Sequence, residues 1–392
     1  MQRHDAKEGR KGQPFSWPED GRAASGTTTF CARECPPDFE TSLDRSGVFP
    51  KDLYRKMADI GLLRISFPAE YGGTEGNILD IVLIAEQLAR NSYTAVYMYL
   101  VNVVFAGSMI LHCGSDSQKK ELLPKLLQGD LQFSFALTEP EAGSDARSIK
   151  TSATRQGDRF LINGTKYWTS GAAVSDYIIT VVLTGPEAES SKAMSIFIVP
   201  AKSKGLSITP IPKLAGNAYP SCEVKYRNMS VDQEHILGGL AWLNNGLLQL
   251  FQTAEYERIC VAASCLGGAE TILKECTEFA KTRQQFGKSI IKYQAMQHSL
   301  ADMATRIEAM RWMTYHAAWM KSVGKECFKE ICMAKLFCSE TLNDIARKGM
   351  QIFGGRGYSM EYRMQRYLRE SYLSLYAGGT SEIQKNVIAR FL

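Results

Sequence analysis

The sequence predicts an α+β protein: an N-terminal helical domain, a central β-domain and a C-terminal helical bundle. Three observations carry that reading. Apolar residues recur every three to four positions over 51–131 and again after 240. Between those stretches the apolar residues run in short strand-like blocks closed by Pro or Asn-Gly. Helices and strands are segregated rather than alternating, which argues against a doubly wound dinucleotide fold.

Residues 1–45 are rich in Gly, Arg, Ser, Thr and Pro with little periodicity, and read as a poorly ordered tail. The helical domain is placed at 46–131. Leu53, Met57, Ile60 and Leu62 keep helical spacing, Gly72-Gly73 breaks it, and the stripe resumes over 78–88. Residues 97–111 are apolar enough for a buried helix, and 118–127 add a shorter amphipathic one.

The β-domain is placed at 132–240. The run from Phe160 reads as a strand ending in an Asn163-Gly164 turn. Residues 177–183 and 195–200 read as buried strands, and 206–210 and 223–226 alternate like half-buried ones. The bundle is placed at 241–392. It carries long amphipathic stretches at 247–283, 293–323 and 328–350, an interruption at Gly354-Gly355-Arg356-Gly357, and a short helix from Ser381 onward.

The chain has 392 residues, 45% hydrophobic and 22% charged, with a net charge of +5. These are ordinary globular values. Basic residues cluster only briefly, as at Lys119-Lys120, so no stripe for nucleic acid is seen, while the mild positive balance suits an anionic ligand. Cysteines such as Cys260, Cys265, Cys332 and Cys338 sit singly in apolar runs, as small core residues do. Cys31 and Cys35 form a CxxxC with no His or further Cys nearby, so no metal is expected. No apolar run reaches the ~20 residues of a membrane span. The N-terminus lacks a signal core, and reduced thiols point to the cytoplasm.

Five short segments carry the candidate chemistry. Residues 136–145 (ALTEPEAGSD) mix a hydroxyl with small turn formers: either a polar surface loop or a cradle for a phosphate or ring edge. In 166–171 (KYWTSG) a Trp stands beside hydroxyls, as core or as the wall of an aromatic cofactor. Residues 283–288 (RQQFGK) join two helices, as a solvated connector or as a cation and aromatic facing an anionic ligand. The run 353–358 (FGGRGY) follows a helix rather than a strand, so it is no dinucleotide fingerprint. In 376–384 (YAGGTSEIQ) small residues precede a helix start capped by Thr380 or Ser381, where backbone amides can hold a ligand.

Together, in this order and spacing, these segments resemble the acyl-CoA dehydrogenase family from about Pro50 to Leu392. The matching stretches also include 67–73 (FPAEYGG), 163–168 (NGTKYW) and 351–355 (QIFGG). The resemblance implies a four-helix C-terminal bundle, FAD bound between β-domain and bundle, an acyl-CoA or enoyl-CoA substrate, an electron-transfer flavoprotein as partner, and a homotetramer built as two dimers. It implies that Leu137 and Thr138 meet the flavin edge, that Trp168 packs beside the ring and that Ser170 donates to it. Ser144 would lie near the pyrophosphate or the CoA arm. Arg283, Phe286, Gln294, Gln351 and Gly355 would reach the neighbouring subunit's FAD, with Thr380 and Glu382 contacting cofactor near the C-terminus.

Most members carry the catalytic glutamate directly before the Gly-Thr of the last motif. Here that position is Gly378. A subgroup that includes isovaleryl-CoA and long-chain dehydrogenases, and crotonobetainyl-CoA reductase-like enzymes, places it on the first helix of the bundle, before an arginine. Glu257 matches that base and Arg258 the CoA-binding arginine, with Gly378 and Gly379 beside the acyl group. The family's usual first helix is not evident in the unpatterned N-terminus. The expected reaction is α-proton abstraction by Glu257 with β-hydride transfer to flavin N5. An enoyl-CoA reductase running the same chemistry backwards is the alternative. A flavin monooxygenase or oxidase, or a non-catalytic flavoprotein, stand further off.

Overall fold

The computed structural model describes residues 22–185 and 193–392. In chain order, helices α1 (Arg22–Glu34), α2 (Pro37–Ser46), α3 (Lys51–Asp59), α4 (Ile78–Asn91), α5 (Tyr93–Tyr99), α6 (Ser108–Cys113) and α7 (Asp116–Leu127) come first. Strands β1 (Phe133–Ala136), β2 (Ser152–Gln156), β3 (Arg159–Ser170), β4 (Tyr177–Leu183), β5 (Met194–Pro200), β6 (Leu206–Pro210) and β7 (Ser221–Asp232) follow. The remainder is helical: α8 (Gly246–Thr282), the small hairpin β8 (Gln284–Gln285) and β9 (Lys288–Ser289), then α9 (Gln294–Ser322), α10 (Phe328–Phe353), α11 (Gly355–Tyr358), α12 (Met364–Tyr376) and α13 (Ser381–Ala389). The chain forms two compact units: the described residues up to Thr28 with Gly76–Arg90 and Arg258–Leu392, and Thr29–Glu75 with Asn91–Glu257. Helix α8 passes from the second into the first after Glu257.

Helices α1 and α2 correct the expectation of an unpatterned tail without a first helix, over residues 22–45. Residues 1–21 lie outside the described residues. The α1 sequence is rich in Gly, Ser and Thr, which are weak helix formers. Burial supplies what propensity lacks: Phe30, Cys31 and Cys35 are at most 1% exposed. The CxxxC thus spans the last turn of α1 and its exit, with the Cys35 N–H donating to the Cys31 carbonyl and both residues buried. Among the described residues no group of three or more metal-ligating side chains occurs. All ten cysteines are buried and none forms a disulfide. The buried Glu40 of α2 accepts hydrogen bonds from the hydroxyls of Ser92 and Thr94, and so holds a carboxylate at the N-terminus of α5.

A π-helical stretch, Leu100–Gly107, joins α5 to α6. The continuous run Tyr93–Cys113 has 21 residues and is long and apolar enough to cross a membrane, which corrects the sequence expectation of no such run. Its most apolar part is 83% buried inside the protein, so core packing accounts for its composition. From this run the buried Asn102 accepts the N–H of Phe133 at 2.6 Å and fixes the start of β1.

The β-unit is one sheet of order β1-β4-β2-β3-β7-β6, with β5 paired to β4. Strands β1 and β4 run parallel, and β3 and β7 antiparallel. Its core gathers Phe160, Ile162, Ile178, Val182, Phe197, Val199, Val224 and Tyr226. Strand β3 does not end at Asn163-Gly164, as the sequence suggested. It continues to Ser170, with a register shift between Ile162 and Gly164. The reason is local: Gly164 has φ +144°, and a Cβ there would lie 2.4 Å from the Thr151 hydroxyl oxygen. Glycine here serves a close strand approach and a bulge, not a hairpin turn. The hairpin joining β2 to β3 turns instead at Gly157, φ +64°.

In the helical unit α4, α8 and α9 meet at a buried charge cluster. The Glu86 carboxylate receives Tyr315 Oη at 2.6 Å and pairs with Arg90, while Arg90 and Arg311 both pair with Glu270. Burial and the neighbouring Glu270 push the Glu86 carboxyl up, against the pull of the arginines. Helices α8 and α10 close on each other through the stacked Phe279 and Phe353 rings, 4.2 Å apart.

Candidate active site

In the β-unit the segment 137–139 is locked from beneath. Lys166, wholly buried on β3, pairs with Glu139 at 2.8 Å and donates to the Leu137 carbonyl at 2.9 Å. Glu139 also accepts the N–H groups of Lys150 and Thr151. Burial pushes the Lys166 ammonium down to about 8 against the pull of Glu139. Burial also opposes the Glu139 charge, yet Lys166 outweighs it and the carboxyl is held below its ordinary value. The Thr138 carbonyl accepts the Tyr167 N–H at 2.7 Å, so Leu137 and Thr138 lie against the strand that carries Trp168.

Trp168 sits in the second irregularity of β3, where the register with β7 shifts between Lys166 and Thr169. Its backbone has φ +61°, and the residue is 52% exposed. A large aromatic in left-handed backbone is costly, and the bulge turns it outward. Two residues on, Ser170 Oγ lies 3.0 Å from Ser221 Oγ, and Lys213 Nζ donates to Ser221 Oγ at 3.2 Å. A flat apolar face, a pinned loop and a hydroxyl pair stand together. Ser144 is exposed on the loop before Asp145.

In the helical unit Arg258, Gly378 and Gly379 converge. Arg258 Nε donates to the Gly378 carbonyl at 3.2 Å, and its guanidinium lies 5.0 Å from the Phe328 ring centroid. Its Nη1 is buried without a hydrogen-bond partner. Lys335 Nζ, fully buried, donates to the Gly379 carbonyl at 2.7 Å. Gln384 Nε2 lies 3.0 Å from both carbonyls. Thr380 is the N-cap of α13, its hydroxyl accepting the Ile383 N–H. Glu382 beside it is exposed, and hydrogen bonds from its own N–H and from Thr380 hold its carboxyl low. Glu257 directly precedes Arg258 on α8 and is half-buried, next to Tyr256, whose ring stacks on His112 at 5.8 Å.

A third group gathers at the far end of α8. Residues 284–289 form a tight hairpin, with Phe286 (φ +50°) and Gly287 (φ +78°) at its turn and Tyr293 Oη donating to the Gln285 carbonyl. Phe286 is 95% exposed at the tip. Arg283 is half-buried, and Gln294, Gln351 and Gly355 are exposed. Arg283 stands 25 positions beyond Arg258, roughly 37 Å along a helix rising 1.5 Å per residue. The two groups therefore do not meet within one chain. Sequence reading gave no role to Glu139, Lys166 and Gln384, which lie within its segments, and did not single out Lys335. The available signal was a lysine inside an apolar stripe, as Lys335 is between Ile331, Cys332 and Cys338.

Three family models match in succession: the acyl-CoA dehydrogenase N-terminal domain over 19–130, its middle domain over 134–229 and its C-terminal domain over 244–392. A probable acyl-CoA dehydrogenase of Bacillus subtilis is 36% identical over 93% of this chain and 95% of its own length. A subunit of the caffeyl-CoA reductase-Etf complex of Acetobacterium woodii is 34% identical over 93% and 95%. The structure of butyryl-CoA dehydrogenase from Megasphaera elsdenii superposes with a TM-score of 0.92 at 28% identity, covering 97% of this chain and 99% of that one. The chain belongs to the acyl-CoA dehydrogenase family, an FAD-dependent family of oxidoreductases, and has its fold: N-terminal helices, a central β half-barrel and a C-terminal helical domain. The β-unit fits such a cofactor. The half-exposed Trp168 offers a flat apolar face and the Ser170–Ser221 hydroxyls a polar edge, the chemistry a flavin ring calls for.

Proposed function

We propose that the chain is an acyl-CoA dehydrogenase of the subgroup whose base lies on the first bundle helix, with Glu257 as that base. The observation that carries this is a pairing. Gly378, without a side chain, occupies the usual base position, and its carbonyl is bound by Arg258, the residue after Glu257. The thioester acidifies the Cα–H, and Glu257 takes that proton. Bound FAD supplies the acceptor for the β-hydride. Thr138, Trp168 and Ser170 hold the ring, Leu137 lines its edge, and Arg258 meets the CoA portion. Ser144 lies toward the cofactor pyrophosphate or the CoA arm, and Gly378 and Gly379 leave room for the acyl group. A positioned general base of this kind contributes about 10²–10⁴-fold.

Arg283, Phe286, Gln294, Gln351 and Gly355 serve the FAD of a neighbouring subunit, and Thr380 and Glu382 contact cofactor at the bundle's end. The exposure of Phe286 in left-handed backbone supports this, since strain at an exposed aromatic is retained where a partner uses it. The assembly is a homotetramer, electrons pass to an electron-transfer flavoprotein, and the compartment is the cytoplasm. A second reading is favoured by the Acetobacterium relative, a subunit of a reductase-Etf complex. On that reading the same residues add hydride and proton across an enoyl-CoA double bond. The test is to mix the FAD-loaded protein anaerobically with a panel of acyl-CoAs, and its dithionite-reduced form with enoyl-CoAs. Bleaching by a saturated thioester supports oxidation, and reoxidation by an enoyl-CoA alone supports reduction. Exchange with neither sinks both.

A further inference from the structure

Two consecutive glycines, Gly378 and Gly379, have φ +68° and +91°, left-handed values that glycine adopts without penalty. Their carbonyls receive Arg258 Nε, Gln384 Nε2 and Lys335 Nζ, the last at 2.7 Å. Lys335 comes from α10, on a face where Ile331, Cys332 and Cys338 are also wholly buried. A buried ammonium is costly unless it is hydrogen-bonded, and this one spends a bond on a backbone carbonyl. Gln384 is likewise fully buried, one turn into α13, and reaches back to both carbonyls. The loop's backbone is thus fixed by donors on three helices, directly before the cap of α13 at Thr380.

We propose that Lys335 and Gln384 are positioning residues: they hold the Gly378-Gly379 backbone where it borders the substrate's acyl group. This rests on the acyl-CoA reading above, which supplies the substrate. The cation and the amide act through the loop, not on the reacting atoms. A charge-assisted bond from a buried ammonium is strong, so its loss is felt in the loop before it is felt in the flavin.

The test uses the full-length, FAD-loaded protein as Lys335→Met, Lys335→Arg and Gln384→Leu. Amide hydrogen exchange is followed in the segment 376–384 and in α10. Steady-state turnover is measured with whichever acyl-CoA or enoyl-CoA exchanges electrons with the wild type. The expected result has three parts. Exchange of 376–384 rises about tenfold in Lys335→Met and Gln384→Leu while α10 stays as in the wild type. KM rises about tenfold with a smaller change in kcat. Lys335→Arg, which keeps a cationic donor, recovers part of both. Unchanged exchange in 376–384 overturns the proposal, as does loosening spread equally through α10 or a kcat loss with KM unmoved. If no CoA ester reacts with the wild type, the substrate reading fails, while the exchange result still decides whether these side chains hold the loop.

Discussion

The Lys166–Glu139 pair under the 137–139 loop joins a fully buried cation to a carboxylate that is 7% exposed. Removing one member of such a pair strands the other charge. Glu139→Gln is expected to cost about 3–5 kcal/mol, read from the urea midpoint, with FAD content falling alongside. The pH dependence follows from the direction of each shift. Glu139 is held low when folded, so its contribution is complete above its ordinary value of 4.5 and is lost as pH falls through the folded value. Wild type is therefore expected to lose stability more steeply than Glu139→Gln as pH falls from 4.5 toward the folded value. Lys166 has the same sign in a higher pH window, although its shift comes from burial disfavouring the charge. Its folded pKa of about 8 lies under the ordinary 10.5, so the unfolded chain holds more protons between them and this group's contribution rises with pH there. At this scale the sequence marked Thr138, Trp168 and Ser170 as candidates through their motifs, but gave no sign of the pair that pins the 137–139 loop. Lys166 and Glu139 lie 27 positions apart, and only the β3 register brings them together.

Single glycines set how the elements fit. A Cβ at Gly164 would lie 2.6 Å from Thr151 Cα in a backbone that side chains rarely adopt. Gly164→Val is expected to destabilise the β-unit by roughly 2–4 kcal/mol and to lower FAD retention, measured by calorimetry and absorbance. Gly267 of α8 lies against α4, where a Cβ would come 2.2 Å from the Glu86 carbonyl oxygen. Gly267→Ala is expected to cost about 1–3 kcal/mol in the same assays. The long bundle helices and the strands at 177–183, 195–200 and 206–210 were legible because their apolar periods are strong. Helices α1 and α2 were not, since small and polar residues mask a helix stabilised by burial. Strand β2 hides in the polar sequence SATRQ, and an Asn-Gly that signals a turn is here a bulge inside β3. In each case tertiary packing outweighs local propensity.

At the scale of the whole molecule, the order helices, sheet, bundle was readable because segregation of periods survives any local misreading. The membrane-length run Tyr93–Cys113 shows the limit of composition: apolarity alone does not distinguish a core helix from a span, and burial does. The 25 positions between Arg258 and Arg283 give the assembly its test. If Phe286 serves a neighbouring subunit's cofactor, Phe286→Ala is expected to keep the wild-type melting temperature as apoprotein but to weaken FAD binding about tenfold or more, by fluorescence titration. Sedimentation should show the FAD-loaded wild type as a tetramer.

The proposed chemistry turns on Glu257 removing the α-proton. The most direct measurement is anaerobic stopped-flow reduction of the flavin by the best acyl-CoA, in wild type and Glu257→Gln, with the dissociation constant taken from the same traces. With Glu257 as the base, the rate falls about 10²–10⁴-fold in the variant while the dissociation constant changes little, since the variant retains shape and Arg258. Equal rates in the two proteins would contradict it and place the base elsewhere in the family's fold.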